Sequence, residues 1–196
     1  AQIDLIYAYY KNREAESAID QADQFIRENP THPRVDYAYY IKGLVHFESG
    51  ANALERLFRA DVTKRPPQEA RKSFQAFQTL VQQYPKSPYA ADARQRMVYL
   101  RNLLARHEFN VGLYYLRKEA FVAAANRGKY LLQTYPQSEY DGDALALMAT
   151  AYTGLGQEDL AADARKVLEA NYPDHAYLRG SRWPEGEGFF SRINPF

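Results

Sequence analysis

Four dipeptides constrain this chain more than any other feature: Asn29-Pro30, Tyr84-Pro85, Tyr135-Pro136 and Tyr172-Pro173. Each closes a run with apolar residues at helical spacing. The first three are followed by polar residues and a further helix-like run. Proline disfavours helical geometry in the residue before it and has no N–H to donate, so each dipeptide is a helix stop. A stop that recurs implies a unit that recurs, and an internal repeat decides the architecture before any single residue does. The clearest unit ends in Phe121–Pro136, which reads as the second helix of a helical hairpin.

In chain order, Ile3, Ile6, Tyr7 and Tyr10 fall on one face of a first helix, and Ala15, Ala18, Ile19, Ala22, Phe25 and Ile26 on one face of a second. Residues 34–50 form a third, with Gly43 implying close helix approach and Ser49-Gly50 expected to close it. Residues 51–66 break the pattern, and Arg65-Pro66-Pro67 stops any helix there. From Glu55 to Lys72 there are six basic and three acidic residues, a local excess of +3; such a run is usually a solvated face, with a contact to substrate or lipid headgroups as the alternative. A helix over 67–84 follows, then one long helix over 88–118 with Arg94, Arg96, Arg101 and Arg106 in a span without acidic residues, then its partner over 119–134. The last hairpin covers 139–171, turning at Thr153-Gly-Leu-Gly156. Residues 174–196 carry Tyr177, Trp183, Phe189, Phe190 and Phe196, too aromatic for a disordered linker, so an extended tail that docks on the body or on a partner is expected.

Composition excludes several classes. The 196 residues have a net charge of +1, so no global field points at nucleic acid or a membrane surface. There is no cysteine, hence no disulfide or thiol chemistry in this chain. The longest stretch without a charge, Ala144–Gln157, has 14 residues and cannot cross a bilayer. The unusual count is 17 tyrosines, mostly on helical stretches; rings with a polar tip suit half-buried positions along a groove.

The unit resembles the tetratricopeptide repeat, a 34-residue helix–turn–helix. With Pro136 at position 32, Gly112 falls at position 8, Tyr115 at 11, Ala124 at 20 and Leu131 at 27, the small, Tyr, small and bulky positions of that pattern. Pro173 likewise brings Ala149, Tyr152, Ala161 and Leu168 to those positions, and Pro30 brings Tyr9, Ala18 and Phe25 to the last three. Frames set by Gly43 and by Pro85 differ by 18 residues, which marks the insertion. The resemblance implies an all-α fold, a right-handed superhelix of helical hairpins. The expected organisation is a solenoid over 1–173, with hairpins 1–30, 34–85 (insertion 51–66), 88–136 and 139–173, then the tail 174–196. Because single hairpins cannot bury their own apolar face, the Ile3/Ile6 stripe leads us to expect a preceding hairpin, and hence a truncation at the N-terminus.

The wording of the repeats goes further. Asp4–Lys11, Phe25-Ile-Arg27 with Asn29–Pro33, Asp36-Tyr37 with Gly43-Leu44, Ala70–Phe74, the Tyr84-Pro-Lys-Ser-Pro-Tyr stretch, Asn126-Arg127, and Asp143–Met148 with Ala151-Tyr152 resemble the BamD family over about residues 1–171. That family is the lipoprotein subunit of the β-barrel assembly machine of Gram-negative outer membranes. The resemblance implies a non-enzymatic scaffold at the periplasmic face of the outer membrane, attached only through an N-terminal lipid anchor that this chain lacks. It implies binding to the last POTRA domain of BamA, contacts with BamC and BamE, and help in receiving unfolded outer-membrane proteins. Arg127 matches a family arginine that contacts BamA; Asn126, Lys118, Glu119 and the 153–159 turn join it by proximity. Gly128, next in sequence, is expected to flatten that partner surface.

Weighed from the residues alone, Arg127 is a surface arginine, and Tyr7, Tyr10, Tyr37 and Tyr40 are more often packing between hairpins than lining of a peptide groove. His32, His46, His107 and His175 are not paired at metal-ligand spacing, and no nucleophile or phosphate-loop pattern occurs. No cofactor, metal or catalytic residue is expected. The competing readings are a generic tetratricopeptide adaptor of another envelope machine, such as pilus assembly, and an envelope enzyme such as a peptidoglycan hydrolase carrying these repeats.

Overall fold

The computed structural model describes residues 2–57, 67–180 and 183, and the described residues form eight α-helices and no strand. They are α1 (Gln2–Lys11), α2 (Ala15–Glu28), α3 (Val35–Leu57), α4 (Gln68–Gln83), α5 (Ala90–Arg117), α6 (Phe121–Thr134), α7 (Asp141–Gly154) and α8 (Glu158–Asn171). The fold is all-α and of tetratricopeptide type. Residues 58–66, with Arg59, Lys64 and Arg65 of the expected basic insertion, lie outside the described residues, as do 184–196, with Phe189, Phe190 and Phe196. No described helix is long and apolar enough to cross a membrane.

The four stops have one geometry. Asn29, Tyr84, Tyr135 and Tyr172 all leave the helical region, at φ between −137° and −126° and ψ between 51° and 59°. Each still donates its own N–H to the carbonyl four residues back: Phe25, Leu80, Leu131 and Leu168. The proline that follows cannot extend that ladder. After three of the stops the chain makes two consecutive turns of the same kind, Asn29–His32–Val35, Tyr84–Ser87–Ala90 and Tyr172–His175–Leu178, each closed by an N–H to a carbonyl three residues back.

The turns inside hairpins also share a design. At Arg13, Glu119 and Gly156 the backbone is left-handed, with φ of 62°, 56° and 69°. The next N–H in each case reaches back to the carbonyl of Tyr9, Tyr115 or Tyr152. These three tyrosines share one position of the repeat frame.

Packing divides the chain into two units. Unit 1 comprises Ala1–Arg56 and Pro67–Arg101; unit 2 includes Asn102–Phe196, so α5 begins in one and ends in the other. In unit 1, α1 packs on α2, and α3 meets α4 where Gly43 faces the fully buried Phe77. A Cβ on Gly43 would lie 2.4 Å from the Phe77 ring. Beside it, the buried Ser73 hydroxyl donates to the Gly43 carbonyl at 2.9 Å. In unit 2, α6 packs on α7 and α7 on α8. Gly112 lies against Leu147, Gly128 against Met148, and Gly154 against the Phe121 ring.

One boundary departs from the sequence reading. Ser49-Gly50 does not close the third helix, which continues to Leu57. Ala51-Asn-Ala-Leu-Glu-Arg-Leu consists mostly of good helix formers, and one interior glycine costs only about 1 kcal/mol.

Replacing Gly43 by Val should overpack the α3–α4 contact and lower stability by about 1–3 kcal/mol, read as a fall in the urea midpoint at unchanged slope. Val122→Ala, at a position 60% exposed, should change it by less than about 0.5 kcal/mol.

Candidate functional site

Unit 1 gathers aromatic and charged side chains from three helices. Tyr7 and Tyr10 on α1, Tyr37, Tyr40 and Phe47 on α3, and Tyr89, Asp92, Arg96 and Tyr99 at the start of α5 recur at intervals of three, four or seven, which keeps each set on one side of its helix. The Tyr40 and Tyr89 rings stack at 4.7 Å, and Tyr37 leans on Tyr89 at 5.3 Å. Phe47 meets Tyr99 at 5.7 Å, and the Arg96 guanidinium lies 4.9 Å from the centre of the Phe47 ring. Tyr7 is nearly half exposed and carries Lys11 over its ring; Arg34 lies over Tyr37.

The polar tips are committed. The Tyr10 hydroxyl donates to Glu48 at 2.6 Å, and the Tyr40 hydroxyl donates to Asp92 at 2.8 Å. Arg96 donates to the same Asp92 oxygen at 2.6 Å. Burial, together with the carboxylate each phenol donates to, pushes both Tyr10 and Tyr40 up to about 12. Burial works against the Asp92 carboxylate, but the bonds from Arg96 and Tyr40 prevail and hold it below its ordinary value. The Tyr10 and Tyr40 rings are therefore held by their hydroxyls, Tyr40 also by its stack on Tyr89, while Tyr7 and Tyr99 keep exposed ring surface. Alongside runs an open groove of about 680 Å³, lined by Tyr10, Arg13, Ala15, Val45, Phe47, Glu48 and Ser49.

The structure thus brings Tyr7, Tyr10, Tyr37 and Tyr40 onto one face. Sequence reasoning missed Phe47, Glu48, Tyr89, Asp92 and Arg96. The signal was present for the α5 residues, because 89, 92, 96 and 99 repeat the spacing that singled out the tyrosines. No group of described His, Asp or Glu residues is arranged to hold a metal ion.

In unit 2, Lys118 and Glu119 are exposed in the α5–α6 turn. Asn126 is exposed on α6 between Val122 and Tyr130, one turn away on either side, and both of these are exposed apolar residues. Arg127 faces a different way. Its side chain is 39% exposed, and its Nη1 donates at 2.8 Å to Glu108, a carboxylate with only 1% exposure. Arg127 is therefore a counter-ion of the fold as well as a surface group. A guanidinium has five donors, so this bond does not exhaust it. The expected flattening at Gly128 is corrected: Gly128 is buried against α7, where a Cβ would lie 2.6 Å from Met148 Cγ and 2.9 Å from the Ala144 carbonyl oxygen. Its lack of a side chain serves helix approach, and the outer surface does not see it.

Two outcomes follow. Folding raises the Tyr10 and Tyr40 pKa values, so the folded chain holds those protons more tightly than the unfolded chain, and their contribution to stability is full below pH 10 and lost as pH rises toward about 12. Melting temperatures measured across that window should fall less steeply for the Tyr10→Phe/Tyr40→Phe double variant. Arg127→Ala should destabilise by about 1–3 kcal/mol in urea titrations by leaving the Glu108 carboxylate under-satisfied, and Glu108→Gln in the same chain should recover part of the loss.

Comparison with known proteins identifies the family. The profile of the YfiO family, described as outer membrane lipoprotein, matches residues 1–168. The outer membrane protein assembly factor BamD of Xylella fastidiosa (strain Temecula1) is 41% identical over 196 residues, all of this chain and 67% of that protein. BamD of Neisseria meningitidis serogroup A is 41% identical over 185 residues, covering 94% of this chain and 69% of that one. BamD of Vibrio cholerae is 39% identical over 170 residues, 87% of this chain and 70% of that one. With a profile match across most of its length and relatives at this identity, the chain belongs to the YfiO family of outer membrane lipoproteins, the family of BamD.

Proposed function

We propose that this chain is a non-enzymatic scaffold in outer-membrane protein assembly, with unit 1 receiving segments of unfolded outer-membrane proteins and unit 2 docking on the POTRA region of BamA. The relatives named above are assembly factors for outer membrane proteins. The observation that carries the reading for this chain is the cluster of rings on α1, α3 and the start of α5, in which Tyr10 and Tyr40 are pinned by their hydroxyl groups and Tyr40 stacks on Tyr89. Unfolded barrel strands alternate apolar and polar side chains. A row of fixed aromatic faces interleaved with Arg96, Asp92 and Glu48 offers alternate partners to such a segment. Rings already immobilised lose little entropy on binding, which favours capture without demanding deep burial. Shallow capture suits a component that must hand its cargo on.

On unit 2, the exposed corner formed by Lys118, Glu119 and Asn126, with Val122 and Tyr130 as an apolar centre, is the BamA contact in this reading. Arg127 supplies a charge already oriented by Glu108, and arginine is the charged residue most often found at the energetic centre of an interface. BamC and BamE complete the assembly. The setting is the periplasmic face of the outer membrane, with membrane attachment through a lipid anchor. An adaptor role in another envelope machine, such as pilus assembly, is disfavoured by the names of the relatives.

The test uses exposed positions, so that folding and binding separate. Lys118→Glu combined with Asn126→Lys should weaken binding to a BamA periplasmic fragment at least tenfold in calorimetry while the melting temperature stays constant. Unchanged affinity would remove unit 2 from the BamA contact. Tyr7→Ala with Tyr37→Ala should weaken binding of an unfolded barrel-strand peptide while leaving BamA binding intact.

A further inference from the structure

After α8, Tyr177, Leu178 and Trp183 pack back onto the body of unit 2. Trp183 donates its indole N–H to Asp143 Oδ1 at 2.7 Å, and His175 Nε2 lies 3.3 Å from the same oxygen. The indole meets the Tyr177 ring edge-on at 5.6 Å, the Phe109 ring at 6.0 Å and the His175 ring at 6.3 Å. Beneath it, Leu145, Ala146 and Leu168 form a buried apolar floor on which Tyr177, Leu178 and Trp183 pack. His175 reaches its place because Gly142 has no side chain: a Cβ there would sit 3.0 Å from the His175 ring. Arg165 of α8 holds Tyr177 from outside, over its ring and toward its hydroxyl.

These groups read two properties of an indole together. The rings and the floor accept a large flat apolar body, and the Asp143 carboxylate accepts its one N–H in a charge-assisted bond. Phenylalanine would satisfy only the first requirement. We propose that this notch, built from Phe109, Asp143, His175 and Tyr177, is a tryptophan-reading docking site that the chain fills in cis with Trp183. The segment that carries Trp183 is thereby a tethered, displaceable occupant. A short tether gives it an effective concentration in the millimolar range, so it excludes weaker external segments until it leaves. The proposal does not depend on any role in outer-membrane assembly and can fail or stand separately from it.

Trp183 is the only tryptophan in the chain, so its fluorescence reports this site alone. In the unaltered protein, iodide should quench it at least threefold less efficiently than free indole, and Asp143→Ala should remove most of that protection and move the emission to longer wavelength. A dye-labelled peptide with the sequence of residues 180–190 should then bind the Trp183→Ala chain at least tenfold more tightly than the unaltered chain, by anisotropy. The same peptide with Phe in place of Trp should lose at least tenfold. Circular dichroism checks that Trp183→Ala keeps its helix content; Trp183→Phe serves as host if it does not. Full iodide access in the unaltered protein overturns the proposal. So does equal peptide affinity for both chains, which would put binding elsewhere, or binding to neither at millimolar peptide.

Discussion

Helix backbones in this protein approach each other at positions that carry no side chain, and the packing of both units depends on that approach. Gly43 receives the face of Phe77, Gly112 the end of Leu147, Gly128 the Met148 chain and Gly154 the ring of Phe121. At each point a large residue on one helix fills the space that a missing Cβ leaves on another. Dispersion and burial are gathered where the backbones can come near. At the α3–α4 contact a polar clasp is added: Ser73, fully buried, donates to the carbonyl of the same glycine that Phe77 covers. The spacing of helices at these contacts, α3 with α4 and α7 with α5 and α6, is thus set by glycine on one side and by bulk on the other, and surface residues inherit their positions from it.

The two candidate faces use charge differently. In unit 1, Asp92 and Glu48 are fixed by the tyrosines they serve, and the result is an ordered set of rings. In unit 2, Glu108 is buried and Arg127 bridges it to the surface. Burying a carboxylate is costly unless a partner and further bonds satisfy it, so Arg127 is held by the fold before any other protein arrives. An arginine so constrained presents its remaining donors in one orientation, which favours register over mere attraction.

How much of this was legible in the sequence depends on how local the cause was. The helix stops were readable because proline acts on its immediate neighbour, and Asn29, Tyr84, Tyr135 and Tyr172 adopt one conformation. The family was readable because whole phrases of the repeats carry it. The end of α3 was not, because Gly50 is followed by residues that favour helix and a lone glycine is a weak stop. The burial of Gly128 and of Glu108 was not readable either. Both depend on which side of α5 and α6 faces a neighbour, and a nearly even apolar pattern along α5 hides that side. The contribution of Tyr89, Asp92 and Arg96 was readable in principle, but their spacing gains meaning only once α5 lies beside α3.

The turns inside the hairpins carry a consequence of another kind. Gly156 solves the left-handed turn at no steric cost; Arg13 and Glu119 solve the same turn with a side chain, and L-residues there forgo roughly 1 kcal/mol. The chain therefore holds a reserve of robustness in two solvent-facing residues. Glycine at either place would draw on that reserve. A protein engineer seeking a hardier scaffold can begin at those corners and leave the interior alone. A laboratory selection for heat tolerance can treat the two corners as a gauge: the corner that refuses glycine is the one whose side chain has work outside the fold.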